Sequence, residues 1–227
     1  MSTKQCMCLS VVLFLSVARV VCDAKDEEGK VVVTKKEVVA LLPTGPDMID
    51  DSAMSNYTKL VALGPDAYPA LSDLLDETED PIVISRIFAV FVESKGDKTN
   101  AVSAIIKTLE RFPGAEQTSI TIQIVALDAL GSIGSTNDIT VVHKLIDSNS
   151  ERVRINALRA AGRIGNASSI ERIESILNKR GANLSKDEKR RDYSFAEGAK
   201  AITKIRSRAA AKTKKEGSSS GGVSKEK

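Results

Sequence analysis

The sequence predicts an all-α chain, an α-solenoid (superhelix) of about four antiparallel helix hairpins with capping helices. Three observations predict it. A helix-turn-helix pattern recurs in register in the second half, and helix-start signals follow one another along the chain with little strand pattern between them. The composition also suits close helix packing: of 227 residues 42% are hydrophobic but only 4% aromatic, with no Trp. The core must then come from Ile, Val, Leu and Ala, which fill the narrow space between helices.

The first segment reads as a secretion signal. Lys4 gives a basic start, and Leu9–Ala18 (LSVVLFLSVA) is an apolar run too short to span a bilayer. Small residues in Ser16-Val17-Ala18 and in Cys22-Asp23-Ala24 suit a signal peptidase, and the polar KDEEGK that follows favours cleavage after Ala24. Residues 1–24 are therefore assigned as a signal peptide, and the protein is expected to be exported to a periplasm or secreted. Cys6, Cys8 and Cys22 all precede this cut, which leaves the mature chain no disulfide and no Cys metal site. No later stretch has the length of apolar residues that a membrane helix needs.

Residues 25–50 read as a linker and N-terminal capping segment. Val31 to Val33 is its one strand-like run, and Thr34 with Glu37 forms a capping box, predicting a short helix over Thr34 to Leu42. The solenoid is expected over residues 51–206. Gly64-Pro65 signals a stop, Leu71, Leu74 and Leu75 form a second-helix stripe, and Asp80-Pro81 is an N-cap with Pro in the first turn. Ile84 to Val92 (ISRIFAVFV) is the most hydrophobic helix and is expected to sit deepest; Val102, Ile105 and Leu109 continue the pattern.

The clearest repeat comes next. Ala126, Leu127, Ala129, Gly131, Ile133 and Gly134 recur as Ala157, Leu158, Ala160, Gly162, Ile164 and Gly165, a displacement of 157 − 126 = 31. Ile139, Val142, Leu145 and Ile146 meet Ile170, Ile173, Ile176 and Leu177 at the same displacement, and their spacing puts each set on one helical face. One such hairpin cannot bury both faces, so copies must stack. Further boxes are expected at Ser148 with Glu151, Ser168 with Glu171 and Ser185 with Glu188. A charged insertion, GANLSKDEKRRD, precedes a closing helix over Tyr193 to Arg206 with Phe195, Ala199, Ile202 and Ile205. Residues 207–227, rich in Lys, Ser and Gly, are expected to form a disordered basic tail.

ALDALGSIG and ALRAAGRIG resemble the first helices of short HEAT repeats, the variety also found in phycobilin lyases. Leu63 to Leu71 (LGPDAYPAL) is similar to the turn and second-helix start of that family. The resemblance runs from about Asp51 to Ile205. It implies stacked helix pairs and, most often, a protein-binding scaffold, occasionally an enzyme.

The residues themselves offer no catalytic, cofactor or metal constellation. His143 is the one histidine, off the aliphatic stripe, with no Ser, Cys or second His at a spacing that suggests a triad or metal site. The recurring glycines fit packing and capping better than phosphate binding. Aligning the repeats puts Asp76, Glu110, Asp147 and Asn178 just after each second-helix stripe, a possible partner-binding ridge set against the plainer reading of exposed polar helix ends. Asn56-Tyr57-Thr58, Asn166-Ala167-Ser168 and Asn183-Leu184-Ser185 match the glycosylation pattern.

Charge is uneven along the chain. Lys25 to Asn178 carries 16 − 23 = −7, and Lys179 to Lys227 carries 15 − 6 = +9. The leading expectation is an exported, non-enzymatic HEAT scaffold for protein–protein interaction, with no nucleic-acid partner. The alternatives are a lyase-like or chromophore-handling protein, implied by the resemblance alone, and a basic-tailed adaptor to anionic surfaces.

Overall fold

The computed structural model describes residues 33–43 and 51–219. The signal segment with Cys6, Cys8 and Cys22, the first two residues of the Val31 to Val33 run, and residues 220–227 lie outside the described residues. Two compact units make up the chain, the first ending at Ala101 and the second beginning at Val102.

In the first unit, α1 (Lys35–Leu41) opens with the expected box: Thr34 Oγ1 accepts the Glu37 amide, and a Glu37 carboxylate oxygen accepts the Thr34 amide at 2.7 Å. It packs its buried Val38 and Leu41 side against α2 (Asp51–Leu63) and α3 (Tyr68–Glu77). Gly64, at a left-handed φ of 58°, ends α2 and starts a 3-10 turn into α3. The next helix, α4 (Pro81–Glu93), starts where Asp80 accepts the Ile82 amide at 2.8 Å. Ile84, Ile87, Val90 and Phe91 in it are fully buried, as its hydrophobicity predicts. Tyr68 meets Phe91 edge-on, ring centroids 5.0 Å apart. Lys98 donates to the Phe91 carbonyl at 2.6 Å and to the Ser94 carbonyl, placing a cation at the negative end of α4. α5 (Thr99–Arg111) crosses from one unit to the other.

The second unit contains α6 (Gln117–Ile133), α7 (Ile139–Leu145), α8 (Glu151–Ile164), α9 (Ala167–Gly181), α10 (Lys186–Arg191) and α11 (Tyr193–Ser219). α8 packs against both α6 and α11, while α9 packs against α7 and α11. The small residues of the repeat decide how close the first helices come. A Cβ on Gly131 would stand 3.2 Å from the Ala160 Cα, and one on Gly162 would stand 3.1 Å from the Ala201 Cα. Backbones therefore meet where the repeat supplies glycine opposite alanine.

That second contact shows a third copy the sequence pattern conceals. Ala160 corresponds to Ala201 at a displacement of 201 − 160 = 41, which also aligns Ile164 with Ile205, Arg159 with Lys200 and Arg163 with Lys204. The lysine keeps the arginine's place: Arg163 Cδ would lie 3.2 Å from a Cβ on Gly131, and Lys204 Cδ 3.7 Å from one on Gly162. The added residues, 41 − 31 = 10, form the turn and short helix α10.

Two local expectations need correction. Ser148 is not the cap of α8. Ser150 holds the N-cap position, and Ser148 Oγ accepts the Ser150 amide at 3.3 Å instead. Nor does Ser168 cap α9: Asn166 does, accepting the Ser169 amide, because an Asn two residues earlier competes well for that position. α11 runs through Ser219, and its alanines and lysines are good helix formers. Ser185 with Glu188 holds as expected, and Ser135 with Asp138 adds a box with the shorter acid.

The close contact at Gly162 is testable by thermal or urea unfolding. Gly162→Leu should cost about 1–3 kcal/mol through overpacking against Ala201. Gly162→Ala should lie near neutral, because a helix-propensity gain of about 1 kcal/mol opposes the tight contact.

Candidate functional site

The side-by-side first helices of the second unit place charged residues in rows. Arg163 Nη1 lies 2.6 Å from Asp128 Oδ1, bridging α8 to α6. One repeat later the row changes sign, because Arg159 occupies the place of Asp128 and Lys204 that of Arg163. Arg159 turns instead to Glu197 at 3.3 Å, and Lys200 reaches the other oxygen of that carboxylate at 2.9 Å. The Lys200 hydrogen bond holds the Glu197 carboxyl below its ordinary range; burial opposes this, and Arg159 adds to it. Arg208 reaches back to the Gly162 carbonyl and, at 2.8 Å, to the Gly165 carbonyl. It caps the C-terminus of α8.

The first helices also carry a buried polar residue at matching positions of the sequence. Arg86, Gln123 and Arg154 occupy equivalent places in successive first helices, since 123 − 86 = 37 and 154 − 123 = 31, and all three are buried. Gln123 donates to the carbonyls of Phe112 and Gly114 at 2.7 and 3.0 Å, and Arg154 to those of Ser148 and Asn149 at 2.8 and 3.0 Å. Gln123 and Arg154 thus each hold the loop that enters their own helix.

Arg154 carries a charge that Gln123 lacks, and the structure answers it. Asp192 lies 3.7 Å from Arg154 Nη2 and accepts from Arg180 Nε at 2.8 Å, while its other oxygen accepts the Ser194 amide at 2.9 Å. Burial pushes the Asp192 carboxyl up, but the donors at Ser194 and Arg180 prevail and hold it below its ordinary value. For Arg154, burial lowers the pKa and Arg180 adds to this, against Asp192, Glu151 and Asp147.

His143 has a partner that sequence spacing did not suggest. Its Nε2 lies 3.0 Å from Oγ of Ser169, a fully buried residue in the first turn of α9. Burial lowers the imidazole pKa, and the nearby Arg172 charge lowers it further. A neutral His143 bridging α7 to α9 is a packing contact, because the Ser169 hydroxyl is closed to solvent. Only the paired positions of the two helices could have signalled it.

Asp76, Glu110, Asp147 and Asn178 are all exposed. Asp76 and Glu110 are the penultimate residues of α3 and α5 and fall in different units. Asp147 lies beyond the end of α7 and Asn178 inside α9, so the aligned positions do not share one place in their helices. Among the described residues no group of three or more His, Cys, Asp and Glu side chains could hold a metal ion, and no helix is long and apolar enough to cross a membrane.

Asp192→Ala should destabilise by about 3 kcal/mol in denaturant unfolding, because it strands the buried Arg154; Asp192→Asn should cost less, since it can still accept from Ser194. For His143 the folded pKa lies below the unfolded value of about 6.5, so its contribution is complete above that pH and is lost as pH falls through the lowered value. A wild-type stability curve should therefore drop more steeply below about pH 6.5 than that of His143→Gln.

Residues 100–184 match the family model of HEAT repeats. No curated protein and no solved structure matches the chain. The family match speaks for the repeat as a class and not for its phycobilin-lyase-like variety. Together with the glycine–alanine contacts and the recurring helix pairs, it identifies residues 100–184 as HEAT repeats in an all-α solenoid fold.

Proposed function

We propose that the chain is an exported, non-enzymatic HEAT-repeat scaffold that binds another protein along its helical repeats. The observation that carries this reading is the fixed outer surface of the second unit. Repeat after repeat, first helices held at backbone contact present charged side chains in register. HEAT arrays commonly serve as interaction scaffolds, and neighbouring repeats make extended surfaces available to a partner. Export is supported by the Leu9–Ala18 run and the small residues up to Ala24.

Expression of the full chain in a secreting host checks export: intact mass should show a product starting at Lys25, and a cell-retained product starting at Met1 would sink that part. Chemical cross-linking in the native exported fraction, followed by peptide identification, should capture a discrete protein partner. If that partner is basic, Glu110→Lys with Asp147→Lys should weaken capture about tenfold. Recovery of an uncross-linked chain at both low and high salt would count against the scaffold.

A further inference from the structure

We infer that the outer edge of α8 and α11 is a binding surface for an extended acidic polypeptide. This rests on the scaffold reading above and names the side of the second unit that does the binding. The motivating observation is the reversal of sign along the row of first helices. Where Arg163 finds Asp128 on the preceding helix, Lys204 finds the equivalent place occupied by Arg159. Among the described residues no carboxylate pairs with Lys204, and Glu197 alone is shared by Arg159 and Lys200.

Further cations follow along α11. Lys200, Lys204, Arg208 and Lys212 recur at four-residue spacing and all four are exposed, the Arg208 guanidinium reaching back to cap α8. Four residues of helix rise about 6 Å. Alternate residues of an extended strand, which point to the same side, are about 6.7 Å apart. An extended segment with Glu or Asp at every second position therefore meets Lys200 and Lys204 in step, with the Arg159 charge on the neighbouring helix. Lys200 and Lys204 are neighbours one turn apart on a helix whose backbone touches α8 at Gly162 and Ala201, so their spacing is held fixed before a ligand arrives. Glycine-tight stacking thus sets up the site, and the missing carboxylate defines its ligand.

Fluorescence anisotropy of the full chain with a labelled peptide of alternating Glu and Thr tests this. Binding should weaken steeply with salt and by about tenfold in Lys200→Glu/Lys204→Glu, with less than about a twofold change in Lys186→Glu/Arg191→Glu, which removes equal charge from α10. Lys200→Gln/Lys204→Gln, a milder pair, should give an intermediate loss, and helical circular dichroism should confirm that each variant is folded. Absence of peptide binding, an equal loss in the α10 variant, or tighter binding to a single-stranded oligonucleotide or to phosphatidylserine vesicles would overturn the assignment. A wild-type chain that cross-links to its partner while the Lys200/Lys204 variants do so equally well would sink the edge alone. A wild type that cross-links to nothing would sink the scaffold reading instead.

Discussion

The backbone contacts at Gly131–Ala160 and Gly162–Ala201 set the geometry of the second unit. At such a distance no ordinary side chain fits between the helices, so their register cannot slide without a clash. Long side chains one turn away must lean over the contact, which is how Arg163 comes to cross Gly131 and Lys204 to cross Gly162. The second helices then need only a narrow aliphatic stripe, and Val142, Ile146, Ile173 and Ile176 are buried accordingly. A fold with almost no aromatic side chains here is stabilised by many close, small contacts rather than by a few large ones.

The buried Gln123 and Arg154 solve a different problem. Loops between stacked helices leave carbonyl groups without helical partners, and burial without a donor is costly. Gln123 meets that need with a neutral amide. Arg154 meets it with a charge whose desolvation has to be offset by Asp192, so its value lies in holding the loop rather than in the ion pair itself. Asp192 stands at the end of the insertion that distinguishes the last repeat. The extra residues thus bring with them the counter-charge that makes the buried arginine tolerable.

How much of this was legible in the sequence depends on the range of each signal. The 31-residue repeat, the α1 and α10 boxes and the burial of Ile84 to Phe91 depend on nearest neighbours and periodicity, which a linear pattern carries. Which of several polar residues caps a helix was less legible, because Ser148, Ser150, Asn166 and Ser168 all satisfy the local chemistry and packing selects among them. The third first-helix copy was hidden because the insertion changed its spacing and Gly162 is replaced there by Thr203. The charged row was invisible for the same reason, since Lys204 gains meaning only when it is set opposite Arg159. All four ridge residues are exposed, but alignment alone could not show that they sit at different points of their helices.

The charge reversal at Arg159 gives the basic residues of the last helix their meaning. In an array where each repeat touches mainly its neighbours, a charge reversal on one first helix is felt by the next one only. Asp128 to Arg159 is such a reversal, and a stability-driven sequence would follow it with an acid at position 204, restoring the bridge that Arg163 makes. Lysine stands there instead, with Lys200 one turn before it, so mutual repulsion is retained where a single substitution would relieve it. The cost is modest for each exposed pair, yet every added cation increases the field along the edge. That field acts on an acidic partner at a distance, before any contact is made, and the retained repulsion on α8 and α11 is relieved when carboxylates arrive.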